Sequence, residues 1–378
     1  MYICRLSRNI QIIPSKERPK KLILVNNRNE KFFFLCKQEK KGDIRKDLRM
    51  MEYITIVNRI LAADSQGEGK HLQLCTFCVT CLSENSALIE WVPNSEPIRR
   101  KIDRLRELKG WCSSSSLALQ LKNDFQHVQD LFAKKQQESA LSLYINTILS
   151  ASKPVLHEWL LLDFPDPRQW LQARDLFTQT TAVWSMTGYI SFLSVIGLGD
   201  RHQDNILVQC NGSVSHVDFD CIFEKGTILK VPERVPFRLT SNLIDVFGVS
   251  GIEGTFRCTC ELAIRCMREN HDLLISVLES LLYDPLMDWR TFYPDPHGVS
   301  GSSVFSNILK VVENRLRGVY GERMINKKEE RRGVQEEKNA SAVRHTELSV
   351  QGQVENVIKD ATDLVNLAQM YIGWMPFI

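Results

Sequence analysis

The sequence predicts a two-lobed α+β protein. A small β-rich lobe spans residues 1–92, a larger and mainly helical lobe spans 93–321, and a short helical segment spans 347–378. Three observations carry this reading. Short apolar runs separated by turn residues fill the first part, as strands do. From about residue 115 apolar residues recur at helical spacing. A mixed-charge, apolar-poor stretch over 322–346 then separates the last segment, as a solvated linker does.

The elements follow in chain order. Leu22-Ile23-Leu24-Val25 and Phe32-Phe33-Phe34-Leu35 predict two strands joined by the turn Asn26-Asn27-Arg28-Asn29. Residues 43–62 predict a helix, with Leu48, Met51, Ile54, Val57 and Leu61 on one face. Further strands are expected over 72–81 and 87–92, and Pro93-Asn94 closes the small lobe. Helices are expected over 116–133, 136–150, 155–162, 168–190, 253–282 and 302–317, with short strands and loops over 197–245. The chain finishes Gly373-Trp374-Met375-Pro376-Phe377-Ile378. Such an apolar tail is expected to dock on the body rather than float in water.

Composition excludes little. The net charge of +3 points to no partner class and to no direct nucleic-acid site. Residues 1–50 hold 14 Lys/Arg against 5 Asp/Glu, which fits an anion-facing lobe or a solvated surface equally. Cys75, Cys78 and Cys81 sit at metal-like spacing, but strand-like flanks and the lack of a second Cys/His pair nearby favour plain thiols. The odd count of 11 cysteines favours reduced thiols and a cytosolic or nuclear setting. No apolar run is long enough for a membrane span.

The chemistry concentrates in Gly197-Leu198-Gly199-Asp200-Arg201-His202-Gln203-Asp204-Asn205, followed by His216-Val217-Asp218-Phe219. Asn205 stands five residues after Asp200, the acid-to-amide spacing of a protein-kinase catalytic loop, and an Asp-Phe pair follows. Phosphoryl transfer needs such parts: an acid to orient the attacking hydroxyl, and oxygen ligands for a metal on the nucleotide phosphates. His202 shares the loop and is placed to donate to phosphoryl oxygens as charge shifts. Lys37 follows an apolar strand, where a phosphate-binding lysine belongs, and Asp47 in the next helix is expected to pair with it. Taken singly, each has a plain reading: a turn acid, a structural histidine, a surface lysine. Their order and spacing together argue for a site. No Gly-x-Gly-x-x-Gly precedes Lys37; residues 14–19, with Ser15, stand in its place and offer a hydroxyl and backbone N–H groups to a phosphate.

The acid precedes the histidine, the reverse of common protein kinases. In this the loop resembles the phosphatidylinositol 3-kinase-related protein kinases. The resemblance extends through Asp43-Ile44-Arg45-Lys46-Asp47, Glu90-Trp91-Val92, His157-Glu158-Trp159 and Val235-Pro236-Phe237-Arg238-Leu239-Thr240. It closes on Asn366-Leu367-Ala368-Gln369-Met370-Tyr371-Ile372-Gly373-Trp374, which is similar to the family's FATC segment. The details look most like the ATR branch of checkpoint kinases. The resemblance implies a PI3K/PI4K-type catalytic fold with a catalytic loop at 197–205, an activation loop at 218–240 and a regulatory linker at 322–346. It implies ATP with Mg²⁺, Mn²⁺ being an acceptable substitute. Asp200 would align the substrate hydroxyl and His202 would stabilise the phosphoryl group. Asn205 and Asp218 would hold the metal. Ser15, Lys37 and Asp47 would serve the phosphates, and Glu90, Trp91 and Val92 the adenine. It further implies protein substrates with Ser/Thr-Gln sites, a regulatory partner of the ATR–ATRIP type, a nuclear location, and a full protein much longer than this chain.

One departure stands out. Family members run from Gly-Tyr-Ile almost directly into Gly-Leu-Gly-Asp-Arg-His, whereas here Ser191-Phe192-Leu193-Ser194-Val195 intervenes. Five helical residues add a net rotation of about 140°. Two alternatives to a protein kinase stay open: a lipid kinase, which shares the fold and much of the loop, and a kinase-fold scaffold impaired by the insert, which the insert alone supports.

Overall fold

The computed structural model describes residues 2–15, 17–39, 43–64, 72–111, 115–191, 199–219, 231–284, 301–319 and 347–378. Most of the five-residue insert, residues 220–230 of the expected activation loop, and the charged linker lie outside these residues.

The small lobe is built on an antiparallel sheet. Its strands are β1 (Ile3–Leu6), β2 (Gln11–Ile12), β3 (Lys20–Asn26), β4 (Lys31–Gln38), β5 (Val79–Ser83) and β6 (Ser86–Glu90). They run in the order β1-β3-β4-β6-β5, with β2 beside β3. Asn26 makes the β3–β4 turn: its Oδ1 accepts the N–H groups of Arg28 at 2.8 Å and Glu30 at 2.9 Å. Asn29 supplies the left-handed residue, a conformation Asn tolerates well. The register then sets Lys20 opposite Cys36 and Lys37 opposite Ala87, in the middle of the sheet. Helix α1 (Arg45–Ala63) buries Met50, Met51, Ile54, Val57 and Leu61 and packs against β5.

The strand expected over 72–81 starts only at Val79. The backbone before it is taken by side chains. Asn58 on α1 binds both Leu74 N–H (2.8 Å) and Leu74 C=O (2.9 Å), and Glu90 accepts Cys78 N–H at 2.9 Å. Groups so occupied cannot join a ladder.

The large lobe opens with β7 (Ser95–Pro97), which forms a second sheet, β7-β8-β9, with β8 (Ile206–Gln209) and β9 (Val214–His216). Its helices are α2 (Ile98–Leu108), α3 (Ser115–Ala133), α4 (Gln137–Leu143), α5 (His157–Asp163), α6 (Pro167–Ser191), α7 (Ser241–Val246), α8 (Thr255–Glu269), α9 (His271–Leu282) and α10 (Gly301–Arg317). Helix α4 runs on as a π-helical turn over Tyr144–Leu149. The single helix expected over 253–282 breaks at Asn270, whose side chain binds the Cys266 carbonyl at 2.9 Å and so closes the last turn of α8.

Helix α6 is the axis of this lobe and touches α5, α7, α8, α10 and β9. Trp184 ties it to the small sheet. Its ring lies flat on His216, centroids 4.6 Å apart, and its indole N–H donates to Val214 C=O at 3.0 Å. Burial beside Arg201 holds His216 well below the usual histidine pKa, so it is a neutral packing ring. The tail forms α11 (Val350–Thr362), α12 (Leu364–Ala368) and a 3₁₀ turn over Ile372–Trp374. It is docked, with Trp374, Phe377 and Ile378 buried.

Candidate active site

Strand β4 delivers Lys37 to the face between the lobes, with only 12% of its side chain exposed. Its ammonium lies 2.7 Å from Glu39 Oε1 and 3.3 Å from Asp218 Oδ1. Asp218 comes from the large lobe just after β9, so this pair spans the cleft. The expected direct pairing of Lys37 with Asp47 is replaced. Asp47 Oδ1 instead accepts the Phe219 N–H at 3.1 Å, fixing the residue after Asp218. It still acts on Lys37 through its field: burial alone would lower the lysine's pKa, but the charges of Asp47, Asp218 and Glu39 raise it well above its ordinary value. Burial pushes the Asp47 carboxyl up to about 6, against the pull of Lys37. Glu39 was legible in principle, because residues i and i+2 of a strand share a face.

The catalytic-loop segment is held from inside by Arg201, which is buried. Its guanidinium donates to the carbonyls of Gly199 (2.8 Å), Val217 (2.9 Å) and Asp218 (2.5 Å). One side chain therefore clamps the loop start to the Asp218 strand end. The side chain next to it turns outward: Asp200 adopts a left-handed backbone (φ 56°), and 53% of its side chain is exposed. Asp218 is also left-handed (φ 61°). Non-glycine residues in this region carry strain and persist only where surroundings impose them.

Asn205 Nδ2 donates to the Asp200 carbonyl at 3.0 Å, which leaves its Oδ1 as the oxygen that can serve a metal. His202 sits between two acids, its Nε2 4.0 Å from Asp200 Oδ2 and its Nδ1 3.9 Å from Asp204 Oδ2. The sequence reading missed Glu233. It is buried and accepts the Asp200 N–H on Oε1 at 2.7 Å. Burial pushes its carboxyl up to about 7, although the Asp200 N–H bond draws it down.

The donor chemistry suits Mg²⁺. Asn205 and Asp218 offer hard oxygens, and this ion commonly takes one or two protein ligands and completes its shell with phosphates and water. Among the described residues no cluster of three His, Cys, Asp or Glu forms a metal cage, and Cys75, Cys78 and Cys81 are free thiols.

At the lobe junction Glu90 uses its N–H on Cys78 C=O at 2.8 Å, so its carbonyl is the group left to offer a base. Val92 is buried, and its carbonyl accepts the Ser95 hydroxyl at 2.8 Å. The Lys21 ammonium stands 3.8 Å from the Trp91 ring centroid. Ser15 lies in the turn between β2 and β3; its N–H donates to Ile13 C=O at 2.9 Å and its carbonyl accepts Arg18 N–H at 3.1 Å.

The tail reaches the same site. Buried Arg238 donates to the main-chain oxygens of Trp374 (2.6 Å), Met375 (2.9 Å) and Ile378 (2.5 Å), and lies 4.4 Å from the Trp374 ring centroid. Gln203, in the same loop as Asp200, donates to the Ile378 main-chain oxygen at 3.1 Å. Among the described residues no helix is long and apolar enough to cross a membrane.

The chain matches the phosphatidylinositol 3- and 4-kinase family model over residues 34–291 and the FATC domain model over 347–378. It is 35% identical to a serine/threonine-protein kinase MEC1 of Candida albicans, over 98% of this chain and 14% of that protein. It is 37% identical to a serine/threonine-protein kinase ATR of Arabidopsis thaliana, over 97% of this chain and 12% of that protein. The chain thus spans 12–14% of the length of these relatives. The solved FAT and kinase domain of CtTel1 superposes with a TM-score of 0.79 at 28% identity, covering 100% of this chain and 24% of that one.

Proposed function

Because the chain belongs to the phosphatidylinositol 3- and 4-kinase family, we propose that it transfers the γ-phosphoryl group of ATP to serine or threonine hydroxyls of proteins. The observation that carries this is the cross-cleft contact of Lys37 with Asp218, set beside an outward-facing Asp200 by the Arg201 clamp. Lys37 holds the nucleotide phosphates, aided by the turn at Ser15. Glu39 and Asp47 keep its ammonium charged and aimed. The Glu90 carbonyl and the Val92 N–H bind the adenine edge, and Trp91 lines its face. Asn205 Oδ1 and Asp218 would hold Mg²⁺, which when bound screens phosphate charge. Asp200 receives the hydroxyl hydrogen bond and orients the nucleophile. His202 donates to the phosphoryl oxygens as negative charge spreads over them.

A protein substrate is favoured over a lipid because the chain carries a docked FATC match and its relatives MEC1 and ATR are serine/threonine-protein kinases. By the same relation we assign the chain to checkpoint signalling in the nucleus, with Ser/Thr-Gln substrates and an ATRIP-type partner for the full protein. The test uses the purified chain with radiolabelled ATP, Mg²⁺, and three acceptors: a Ser-Gln peptide, its Ser-Ala analogue, and phosphoinositide vesicles. Transfer to the first, abolished in Asp200→Ala, is expected. Transfer to vesicles alone would establish the lipid reading, and transfer that survives Asp200→Ala would remove Asp200 from the mechanism.

A further inference from the structure

We infer that Glu233 is the positioning residue for Asp200: it holds the Asp200 N–H, and with it the left-handed turn that aims the Asp200 carboxylate out of the loop. This rests on the reading that Asp200 orients the substrate hydroxyl. Both polar backbone groups of Asp200 are held by side chains, the N–H by Glu233 and the C=O by Asn205. Two such bonds fix the flanking peptide planes and so the direction of the side chain between them. The Glu233 bond is short at 2.7 Å and its acceptor is buried, where little water competes for the Asp200 N–H.

The position of Glu233 gives the contact a second consequence. Its neighbour Arg234 donates its backbone N–H to Met370 Sδ at 3.2 Å, and Arg238, five residues on, is bound by the tail carbonyls. Val235 and Phe237 between them, and Leu239 just after, are buried. The segment 231–240 is thus seated by the tail at two points and touches the catalytic acid at a third. Asp200 is aimed while that segment is seated and released when it lifts. The coupling runs through a hydrogen bond, so it depends on an acceptor oxygen at position 233 more than on the charge.

The test compares Glu233→Ala and Glu233→Gln with the parent in steady-state transfer to the peptide, with Asp200→Ala alongside. Glu233→Ala is expected to lower kcat by about 10- to 100-fold, the scale of a misaimed catalytic group. Its KM for ATP should stay within about twofold, because the Lys37–Asp218 pocket is not touched. Glu233→Gln keeps an amide oxygen and should recover about tenfold over Glu233→Ala. A Glu233→Ala enzyme with parental kcat, or equal losses in the alanine and glutamine variants, would overturn the inference. Full turnover by Asp200→Ala would instead defeat the underlying reading of Asp200. Should Glu233→Ala not fold, amide hydrogen exchange on the parent decides: a protected Asp200 N–H supports the contact, and exchange at the free-peptide rate refutes it.

Discussion

Replacing Arg238 by methionine tests whether the tail is held to the active site by one side chain. The guanidinium satisfies three main-chain oxygens, those of Trp374, Met375 and Ile378, and covers the Trp374 ring. Methionine keeps most of the volume and removes every donor. Each buried oxygen left without a partner costs ~1–3 kcal/mol. Against this, the buried cation is itself expensive, and its pKa is pushed down to about 9 by burial. Relief of that cost offsets part of the loss. The net expected cost is ~2–4 kcal/mol, concentrated in the docking of residues 364–378. At about 1.4 kcal/mol per decade, tail amides should exchange hydrogen about 30- to 1000-fold faster, read peptide by peptide in mass spectrometry. Turnover should fall with it, because Gln203 and the 231–240 segment lose their seat. Tail exchange within threefold of the parent would refute the reasoning and make the Arg238 bonds incidental to docking.

Other perturbations have signed outcomes. Gly212→Ala places a Cβ 2.5 Å from the Ala173 carbonyl oxygen at φ 99°, so the β8–β9 turn must lift off α6; an unfolding cost of ~2–4 kcal/mol is expected in denaturant melts, and a change below about 0.5 would contradict it. The Glu233 carboxyl, raised to about 7 from 4.5, favours its neutral form in the fold, so its contribution is full below pH 4.5 and is lost as pH rises through about 7. Glu233→Gln cannot ionise, so it should gain stability on the parent by up to about 3 kcal/mol between pH 4.5 and 8; a pH-independent difference in thermal melts would refute this. Lys37→Met leaves Glu39, Asp47 and Asp218 without their shared cation, so ATP affinity should fall at least ~10-fold in a binding titration, and unchanged affinity would remove Lys37 from the phosphate site.

Much of this site was legible because its chemistry is local in sequence. Asp200, His202 and Asn205 share one loop, and Lys37 ends one apolar strand. The β3–β4 hairpin and α1 could be read from periodicity and from Asn26. What escaped was long-range. Glu233 meets Asp200 across 33 positions and Arg238 meets Ile378 across 140, and no spacing rule predicts either. The strand over 72–78 failed for a similar reason: side chains of Asn58 and Glu90, remote in sequence, took its backbone groups. The Lys37–Asp47 pairing was close but misassigned, because Glu39, just past the end of β4, sits nearer and the Phe219 N–H claims Asp47.

The central claim is that Lys37, Asp200, Asn205 and Asp218 form one phosphoryl-transfer site across the cleft. It is tested most directly by single-turnover transfer from γ-labelled ATP to a Ser-Gln peptide in the parent and in Asp218→Ala, with melting temperature measured in both. The account predicts labelled phosphoserine from the parent, and from Asp218→Ala at least a ~1000-fold slower rate with little change in melting. Equal rates from the two proteins would contradict it.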